Sequence, residues 1–370
     1  MVQTPEPAAK KPKGDIPKIG THNGTFHCDE ALACFQLKLL PEYHNAEIVR
    51  SRDESVLSTC DVVVDVGGKH DPESLRFDHH QKSFTAGLST LRPGKKWTTR
   101  LSSAGLVFNH FGHRIISQVL DCPVEDPRVE IIFDKVYENL IEEIDAMDNG
   151  VDICEGTPRY RITTNLSSRV RRLNPPWTDK DTNTDDVFPK AMQMTGEEFL
   201  DRIHYYGELW WPAREMLLKV VEARFQVGSF QAMSSLRLEN WSYSKRLSQV
   251  DKSGKIMEMS SGGFPWKEHF FDLEEQGIIP KNELFFVIFT DTAGMWRVQA
   301  IPVSADSYSS RLPLLAEWRG VFNPELEEKS GLPGIKFVHA TGFIGGHETR
   351  EGAIAMAKKT LASQPETDKK

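Results

Sequence analysis

The sequence predicts an α/β fold, with an N-terminal parallel sheet flanked by helices and a smaller C-terminal α/β domain. Short, continuously apolar runs such as 61–66 alternate with longer segments of helical periodicity, and this is typical of parallel strands covered on both faces. In the second half, apolar runs on either side of 291–294 predict a hairpin. A chain of 370 residues also suits two domains better than one.

In the first domain, the apolar segment 16–21 predicts a buried strand that ends at the turn Asn23-Gly24. A helix then opens at Asp29 or Glu30, because dense apolar positions follow. The next predicted elements are a strand at 47–51, a helical turn at 54–59, a strand at 61–66 and long helices at 102–120 and 130–147. Asn149-Gly150 is a stop signal after the last of them.

Further along the chain, 161–177 is predicted as a loop and 197–225 as helical. Strands are expected at 284–289, 296–303 and 336–340, and a last helix at 350–361. The predicted organisation is a disordered tail (1–15), a metal-binding catalytic domain (16–190), a helical connector (191–228) and a substrate-binding domain (229–365). The apolar residues of 197–225 can pack within one chain or between two, so a homodimer is left open.

Composition excludes several classes of protein. The chain is 39% hydrophobic and 26% charged, which is ordinary globular usage. A formal net charge of -8 argues against a general coat for polyanions, but it is compatible with a local basic groove. No apolar run reaches the roughly 18 residues of a membrane span, so a soluble protein is expected. Five scattered cysteines without a CxxC pair fit a reducing compartment.

The N-terminal tail bears on localisation. It has no apolar signal core and no arginine, so it is a poor secretory or transit peptide. Lys10-Lys11-Pro12-Lys13 is either a short nuclear address or part of a solvated tail. The tail therefore favours nucleus or cytoplasm.

Acid and imidazole side chains recur where predicted strands end, although burying such groups unpartnered costs several kcal/mol. Because the carboxyl ends of parallel strands meet at one edge of a sheet, these side chains are expected to converge there. Carboxylates and imidazoles together suit a pair of divalent cations about 3.5 to 4 Å apart. The candidate ligands are His22, His27, Asp29, Asp65, Asp78, His79 and one acid from the end of the second long helix, Asp145 or Asp148.

Within this set, Asp65 is expected to bridge the two cations, because it lies alone after its strand between the two clusters. One imidazole of His79-His80 is a ligand, and the other is a candidate catalytic group that faces a substrate phosphate as proton donor or charge stabiliser. Several imidazoles favour Mn²⁺ over Mg²⁺, with Mg²⁺ left open. Taken singly, each residue has an ordinary alternative as a helix cap or surface group, so the joint pattern carries the prediction.

Three stretches are candidates for substrate binding. Arg169, Arg171 and Arg172, close to Trp177, combine cationic and aromatic groups for phosphate contact and base stacking, or else form a solvated loop. The run Gly345-Gly346-His347, between a predicted strand and helix, is either an anion cradle or a tight turn. Arg297, on a hairpin strand, can reach a phosphate, although facing water is the favoured interpretation.

The segments THNGTFHCDE, DVVVDVGG, RFDHHQ, LSSAGLVF, EEIDAMDNGVD and HATGFIGG resemble the melanocyte-proliferating-gene branch of the DHH phosphoesterase superfamily over about 16–361. Usual superfamily members have Asp where His27 stands, so this ligand departs from the pattern. The resemblance implies a manganese-dependent phosphodiesterase, a 3′-5′ RNA exonuclease associated with nucleus and mitochondria in eukaryotes. It also implies an active site in the cleft between two domains, with the Gly-Gly-His element holding the terminal nucleotide.

Three functional hypotheses follow. The first is a two-metal 3′-5′ RNA exonuclease, whose partners are RNA and divalent metal. The second keeps the metals but acts on a small substrate such as pyrophosphate, a cyclic dinucleotide or a very short oligonucleotide, and the weak overall basicity motivates it. The third is a catalytically silent RNA- or protein-binding scaffold, against which the complete set of acids and imidazoles argues.

Overall fold

The computed structural model describes residues 16–223, 250–259, 262 and 265–363. The chain divides into two compact units, Met1–Glu208 and Leu209–Lys370, and each contains a five-stranded sheet together with helices. The mixed α/β class is therefore confirmed. The predicted tail 1–15 and the end of the predicted connector, 224–228, lie outside the described residues.

The sheet of the first unit positions the polar clusters. Its strands are β1 (Lys18–Thr21), β2 (Glu47–Arg50), β3 (Val62–Val64), β4 (His70–Asp71) and β5 (Arg76–Phe77). The order is β2-β1-β3-β5-β4, and all neighbours are parallel except the edge strand β4. Ile19, Val62 and Phe77 are fully buried. The carboxyl ends of β1, β3 and β5 therefore lie at one edge of the sheet, which is where such sheets bind ligands.

Eight α-helices belong to the described part of this unit. They are α1 (Cys28–Lys38), α2 (Glu54–Leu57), α3 (Leu88–Leu91), α4 (Ser103–Val119), α5 (Pro127–Val136), α6 (Glu142–Asp148), α7 (Leu166–Arg171) and α8 (Thr184–His204). Helix α1 packs against α4 and α8, and its Leu32, Cys34 and Leu37 are buried.

Two sequence predictions in this unit are wrong in detail. The segment 130–147 is not one regular helix, because a π-helical turn, Tyr137–Ile141, separates α5 from α6. Such turns are common near functional sites. The segment 161–177 is not wholly a loop, because it contains α7. The side chain of Asn165 caps α7 by accepting a hydrogen bond from Ser168 N at 2.8 Å, and Leu166 and Val170 bury its inner face.

The second unit is a mixed sheet between helices. Its helices are α9 (Trp211–Ala223), α10 (Trp266–Glu275), α11 (Glu325–Ser330) and α12 (Arg350–Ala362), and its strands are β6 (Ile256–Glu258), β7 (Phe286–Thr290), β8 (Trp296–Ala300), β9 (Ile335–Val338) and β10 (Ile344–His347). The order is β6-β7-β8-β10-β9. The predicted hairpin is confirmed as the antiparallel pair β7–β8. One apolar cluster joins the sheet to α12, and another joins it to α9 and α10.

The expected loop at Gly345-Gly346-His347 is instead strand β10, paired with β8 and β9. Close packing explains why glycines stand here. A Cβ at Gly346 would lie 2.6 Å from the ring of Phe337, and one at Gly345 would lie 2.6 Å from Met356 Cε. A larger residue at either position would clash with these neighbours, so glycine allows Phe337 and Met356 to pack closely against the strand.

Among the described residues, no helix has both the length and the hydropathy needed to span a bilayer.

Candidate metal centre

His22 is the first residue after β1, and its ring is buried. The Nδ1 atom lies 3.1 Å from the carbonyl oxygen of Asn23 and 3.2 Å from Arg52 Nη2. When the imidazole is neutral with its proton on Nδ1, Nε2 presents an electron pair that can bind a cation. That Nε2 atom lies 3.1 Å from Glu30 Oε1 and 3.3 Å from Asp65 Oδ2. A backbone carbonyl that fixes the ring in this way is usual behind a metal-binding imidazole.

The amino terminus of α1 brings three polar side chains to the same place. The carboxylate of Glu30 accepts the backbone N–H of His27 at 2.8 and 3.0 Å, which caps the helix. Asp29 and Glu30 are buried in the first turn, where a helix favours negative charge, and His27 is exposed. Asn174 fixes the preceding residue, because its side chain bonds both Phe26 N (3.0 Å) and Phe26 O (2.9 Å).

Asp65 follows β3 in the left-handed conformation, with φ of 60°. This conformation is uncommon outside glycine and turns the side chain away from the strand direction. Its carboxylate lies between two imidazoles, 3.3 Å from His22 Nε2 and 3.2 Å from His79 Nε2. The hydroxyl of Ser103 lies 3.0 Å from Asp65 Oδ1.

The Asp78-His79-His80 triplet follows β5, and its three side chains have different surroundings. Asp78 accepts hydrogen bonds from the backbone N–H groups of Gly68 and His80, and its Oδ1 lies 2.8 Å from His80 Nδ1. Asp78 therefore orients the His80 ring, whose side chain is 62% exposed. The buried His79 has Nε2 3.2 Å from Asp65 Oδ1 and 3.1 Å from Asp148 Oδ2, yet neither approach has hydrogen-bond geometry.

Asp145 and Asp148, the two candidate acids at the end of the second long helix, have different partners. Asp148 reaches the cluster through its contact with His79. Asp145 is fully buried and accepts hydrogen bonds from Ser102 N at 2.9 Å, Ser102 Oγ at 2.7 Å and the Tyr137 hydroxyl at 2.9 Å. Asp145 therefore holds the start of α4 in place, and Asp148 is brought to the other candidate ligands.

Sequence reasoning missed Glu30 as a candidate ligand and the two serines behind the acids. Ser103 donates its backbone N–H to Asp29 Oδ2 at 3.3 Å, so the amino terminus of the long helix α4 faces a buried carboxylate. The available signals were the capping spacing of His27 and Glu30 and the paired hydroxyls that open α4.

The donor atoms form three overlapping groups in which all members lie within 4.8 Å of one another: His22, His27, Glu30 and Asp65; Asp65, His79 and His80; His27, Asp29 and Asp148. Asp65 belongs to two groups, as does His27. Within the described part of the chain, Asp29 Oδ1 is buried without a hydrogen-bond partner. An unmatched carboxylate oxygen among converging imidazoles fits a bound cation. Asp78 and Asp145 belong to none of these groups.

The charges of the cluster explain its pKa shifts. Burial, followed by the negative charges of Asp65 and Asp148, raises the pKa of Asp29 well above its usual range. Burial opposes ionisation of Asp65, but the close imidazoles of His22 and His79 lower its pKa overall. Burial lowers the pKa of His22 and of His79, but their carboxylate partners outweigh it and raise each to about 10. Protons and a divalent cation therefore compete for the same atoms.

The candidate arginines of the first unit differ in their surroundings. Arg169 Nη1 lies 3.3 Å from Glu198 Oε2, and Arg172 Nη1 donates to Thr163 O at 2.8 Å. Arg171 ends α7 with an exposed side chain.

The candidates of the second unit are engaged within it. Arg297 binds Asp291 through Nε at 3.0 Å and Nη2 at 2.6 Å, and its guanidinium lies 4.9 Å from the centroid of the Phe337 ring. His347 is buried, and its Nδ1 accepts the N–H of Thr349 at 3.0 Å. Substrate binding by these residues, and by Gly345 and Gly346, stays a prediction.

The fold and the site define an α/β protein of two units, the first of which carries a candidate centre for divalent cations. The family model for MYG1 exonucleases, described as "Uncharacterised protein family (UPF0160)", matches residues 18–239 and 231–361. The chain belongs to this family.

Curated relatives span nearly the same length. The chain is 50% identical over 364 residues to the protein of Mus musculus named MYG1 exonuclease, covering 97% of this chain and 90% of the relative. It is 51% identical over 349 residues to the Homo sapiens protein of the same name, covering 94% and 86%. A Saccharomyces cerevisiae relative, named MYG1 protein YER156C, is 36% identical over 354 residues, covering 93% and 96%.

Proposed function

We propose that this chain is a metal-dependent phosphodiesterase of the DHH phosphoesterase type that removes nucleotides from the 3′ end of RNA. The observation that carries the proposal is the convergence of imidazoles and carboxylates from three strand ends and two helices into three groups that overlap at Asp65 and at His27. The relatives named MYG1 exonuclease support a nuclease.

The chemistry assigned to the centre needs two cations, for which the donors with imidazoles favour Mn²⁺. One cation would be held by His22, His27, Glu30 and Asp65. The donors for the other would come from Asp65 with His79 and from Asp29 with Asp148. When bound, such ions lower the pKa of a water molecule and polarise a phosphoryl group. The protein contributes donors held rigidly by capping and hydroxyl contacts, so that little reorganisation is needed.

His80 is assigned a role toward the substrate. Its Nδ1 is fixed by Asp78 at 2.8 Å, and the ring is largely exposed, so its other nitrogen can reach an approaching phosphate. From that position it would donate a proton or a hydrogen bond to phosphate oxygen. The second unit is assigned substrate recognition through Gly345, Gly346, His347 and Arg297 as part of the same proposal.

The test uses the purified full-length chain, Mn²⁺ and single-stranded RNA labelled at its 5′ end. We expect a ladder of progressively shorter labelled products, and a 3′-blocked RNA should resist. Asp65→Asn should abolish the ladder, whereas Asp186→Asn, an exposed acid at the start of α8, should not. An intact label in the presence of bound metal would reject the nuclease.

Two other outcomes would redirect the assignment. Turnover of dinucleotides that exceeds turnover of long RNA would favour a small-substrate phosphohydrolase. RNA binding without turnover, unaffected by Asp65→Asn, would favour the scaffold.

A further inference from the structure

The segment 149–177 begins beside one candidate metal ligand, and near its end it contacts the residue that precedes another. It starts directly after Asp148, whose Oδ2 lies 3.1 Å from His79 Nε2. It returns at Asn174, whose side chain holds both backbone groups of Phe26, the residue before His27. The start of the segment and Asn174 near its end are therefore both held next to residues that carry candidate ligands.

Between these ends, every residue of 151–164 is exposed. Large side chains are included, because Tyr160 is 76% exposed and Trp177, just beyond Asn174, is 90% exposed. Scattered exposed apolar residues are normal on a protein surface, so exposure alone identifies no partner. The charge of the segment supplies the second observation.

The same segment carries five arginines and two acids, in a chain whose formal net charge is -8. Arg159 and Arg161 flank Tyr160 directly. This alternation of guanidinium and aromatic groups matches a single nucleic-acid strand, which presents phosphates and unstacked bases alternately. A duplex hides the faces of its bases and offers aromatic rings no comparable contact.

The arginines of the segment are not equivalent. Arg169 is already paired with Glu198 at 3.3 Å, and Arg172 is turned to the carbonyl of Thr163. For Arg159, Arg161 and Arg171 the structure gives no side-chain hydrogen bond or ion pair within the described part of the chain. These three guanidinium groups are accordingly available to an incoming anion.

We propose that 149–177 is a platform for single-stranded nucleic acid, on which Tyr160 and Trp177 stack against bases while Arg159, Arg161 and Arg171 contact phosphates. The inference rests on the proposed function and names the part of the site that holds the strand. Trp177 is three residues from Asn174, so their Cα atoms are at most about 11 Å apart. Trp177 is therefore assigned to bases next to the metal centre, and Tyr160 to bases further along the strand.

The experiment measures binding of a fluorescein-labelled single-stranded RNA of mixed sequence to the full-length chain by anisotropy, in EDTA so that nothing is cleaved. Tyr160→Ala and Trp177→Ala should each raise Kd at least about fivefold, because each stacked base contributes about 1–3 kcal/mol. Tyr160→Phe and Trp177→Phe should restore most of the affinity. Arg171→Gln should weaken binding and reduce the salt slope by about one.

Matched controls separate the platform from general charge. Arg202→Gln removes an arginine that also contacts Glu198, at 3.3 Å. Because Arg202 lies on α8, outside 149–177, this substitution should change Kd by less than the loss expected for Arg171→Gln. Arg169→Gln should cost less affinity than Arg171→Gln. Thermal unfolding of each variant should match the wild type, because the substituted rings are on the surface.

The outcomes distinguish this inference from the proposed function. A wild type that shortens RNA, with both alanine variants binding as tightly as it does, would overturn the platform and leave the nuclease standing. Equal affinity of the wild type for duplex and single-stranded RNA would also overturn the stacking role. A wild type that neither binds nor shortens RNA would reject both.

Discussion

Asp65 shows how a single residue trades stability for position. A non-glycine residue in the left-handed region costs on the order of 1–2 kcal/mol, and such outliers gather at functional sites. Asp65 keeps this conformation while its N–H donates to Phe77 O at 3.2 Å and Ser103 contacts its carboxylate. The result is one carboxylate shared by two groups of donors, which a relaxed strand end would not provide.

The two late acids give the sharpest residue-scale prediction. Asp148→Asn should weaken Mn²⁺ binding at least about tenfold, a typical loss for a disturbed metal shell, with little change in the free energy of unfolding of the metal-free chain. Asp145→Asn should instead lower that free energy, because it disturbs the hydrogen bonds to Ser102 and Tyr137. Isothermal titration with Mn²⁺ and chemical denaturation in EDTA measure the two quantities.

Comparison of the two variants is the control, since both replace an acid of α6 by its amide. A loss of Mn²⁺ affinity confined to Asp145→Asn would contradict the assignment of Asp148.

At the scale of elements, helix α4 connects the site to the interior. Its amino-terminal serines hold Asp29, Asp65 and Asp145. About two turns further on, His110 packs against the rings of Phe77 and Phe111, with centroids 5.3 and 4.4 Å away. Phe77 ends the strand that leads into the Asp78-His79-His80 triplet, so this imidazole lies in the packing behind the candidate site.

His110 should make the protein acid-sensitive. Burial, followed by the positive charges of Arg114 and Arg92, lowers the pKa of His110 to about 4, against about 6.5 in the unfolded chain. As the pH falls from about 6.5 to about 4, the unfolded chain binds a proton that the folded chain does not, so stability is lost over this window. His110→Gln should therefore lose less unfolding free energy than the wild type between pH 7 and pH 4.5, measured by urea denaturation.

His44→Gln is the matched control, because His44 is exposed, and its pH dependence should follow the wild type. Parallel pH profiles for the wild type and His110→Gln would contradict the assigned role of burial.

Helix α12 packs against the strand that was predicted as a loop. A Cβ at Gly352 would lie 1.8 Å from Cε1 of the buried His347 ring. That ring has little room to move, because Thr349 N donates to it. Gly352→Ala should therefore lower the unfolding free energy by about 1–3 kcal/mol, the usual cost of overpacking. Denaturant titration measures it, with Glu351→Ala, an exposed neighbour on the same turn, as a control that should differ by less than about 0.5 kcal/mol. Equal stability of the two variants would show that His347 yields.

At the scale of the whole molecule, the polar clusters could be predicted from sequence because His22, Asp65 and the Asp78-His79-His80 triplet each follow the end of a strand, and parallel strands end at one edge. The choice between Asp145 and Asp148 could not. Both occupy the last turn of α6, and one of the two hydroxyls that donate to Asp145 comes from Tyr137. Tyr137 lies in a π-helical turn, which the periodicity of the sequence does not predict. Glu30 was missed because its capping role accounts for its position equally well.

The errors in the second unit have a related cause. Glycines and a histidine before a helix are typical of an anion-binding turn, yet the bulk of Phe337 and Met356 makes the same glycines necessary in a strand. Contacts between residues distant in sequence determine that this segment is a strand and not a turn. The acids and imidazoles at the strand ends could be predicted from local sequence, because the strand immediately before each of them sets its position.

Metal removal should affect the molecule as a whole through the first unit. A cation that binds only the folded state stabilises it by about 2.7 kcal/mol at a concentration one hundred times Kd, so Mn²⁺ should raise the Tm and EDTA should lower it. Since the pKa of His22 and of His79 is raised to about 10, protons compete with the cation, and the rise in Tm should be larger at pH 8.5 than at pH 6. Differential scanning fluorimetry measures this, and hydrogen exchange should show added protection in peptides that carry His22, Asp65 and His79.

His79→Ala should lose the response of Tm to Mn²⁺, while Asp186→Asn keeps it. A Tm that Mn²⁺ leaves unchanged, or raises equally in His79→Ala, would contradict a metal centre at these residues.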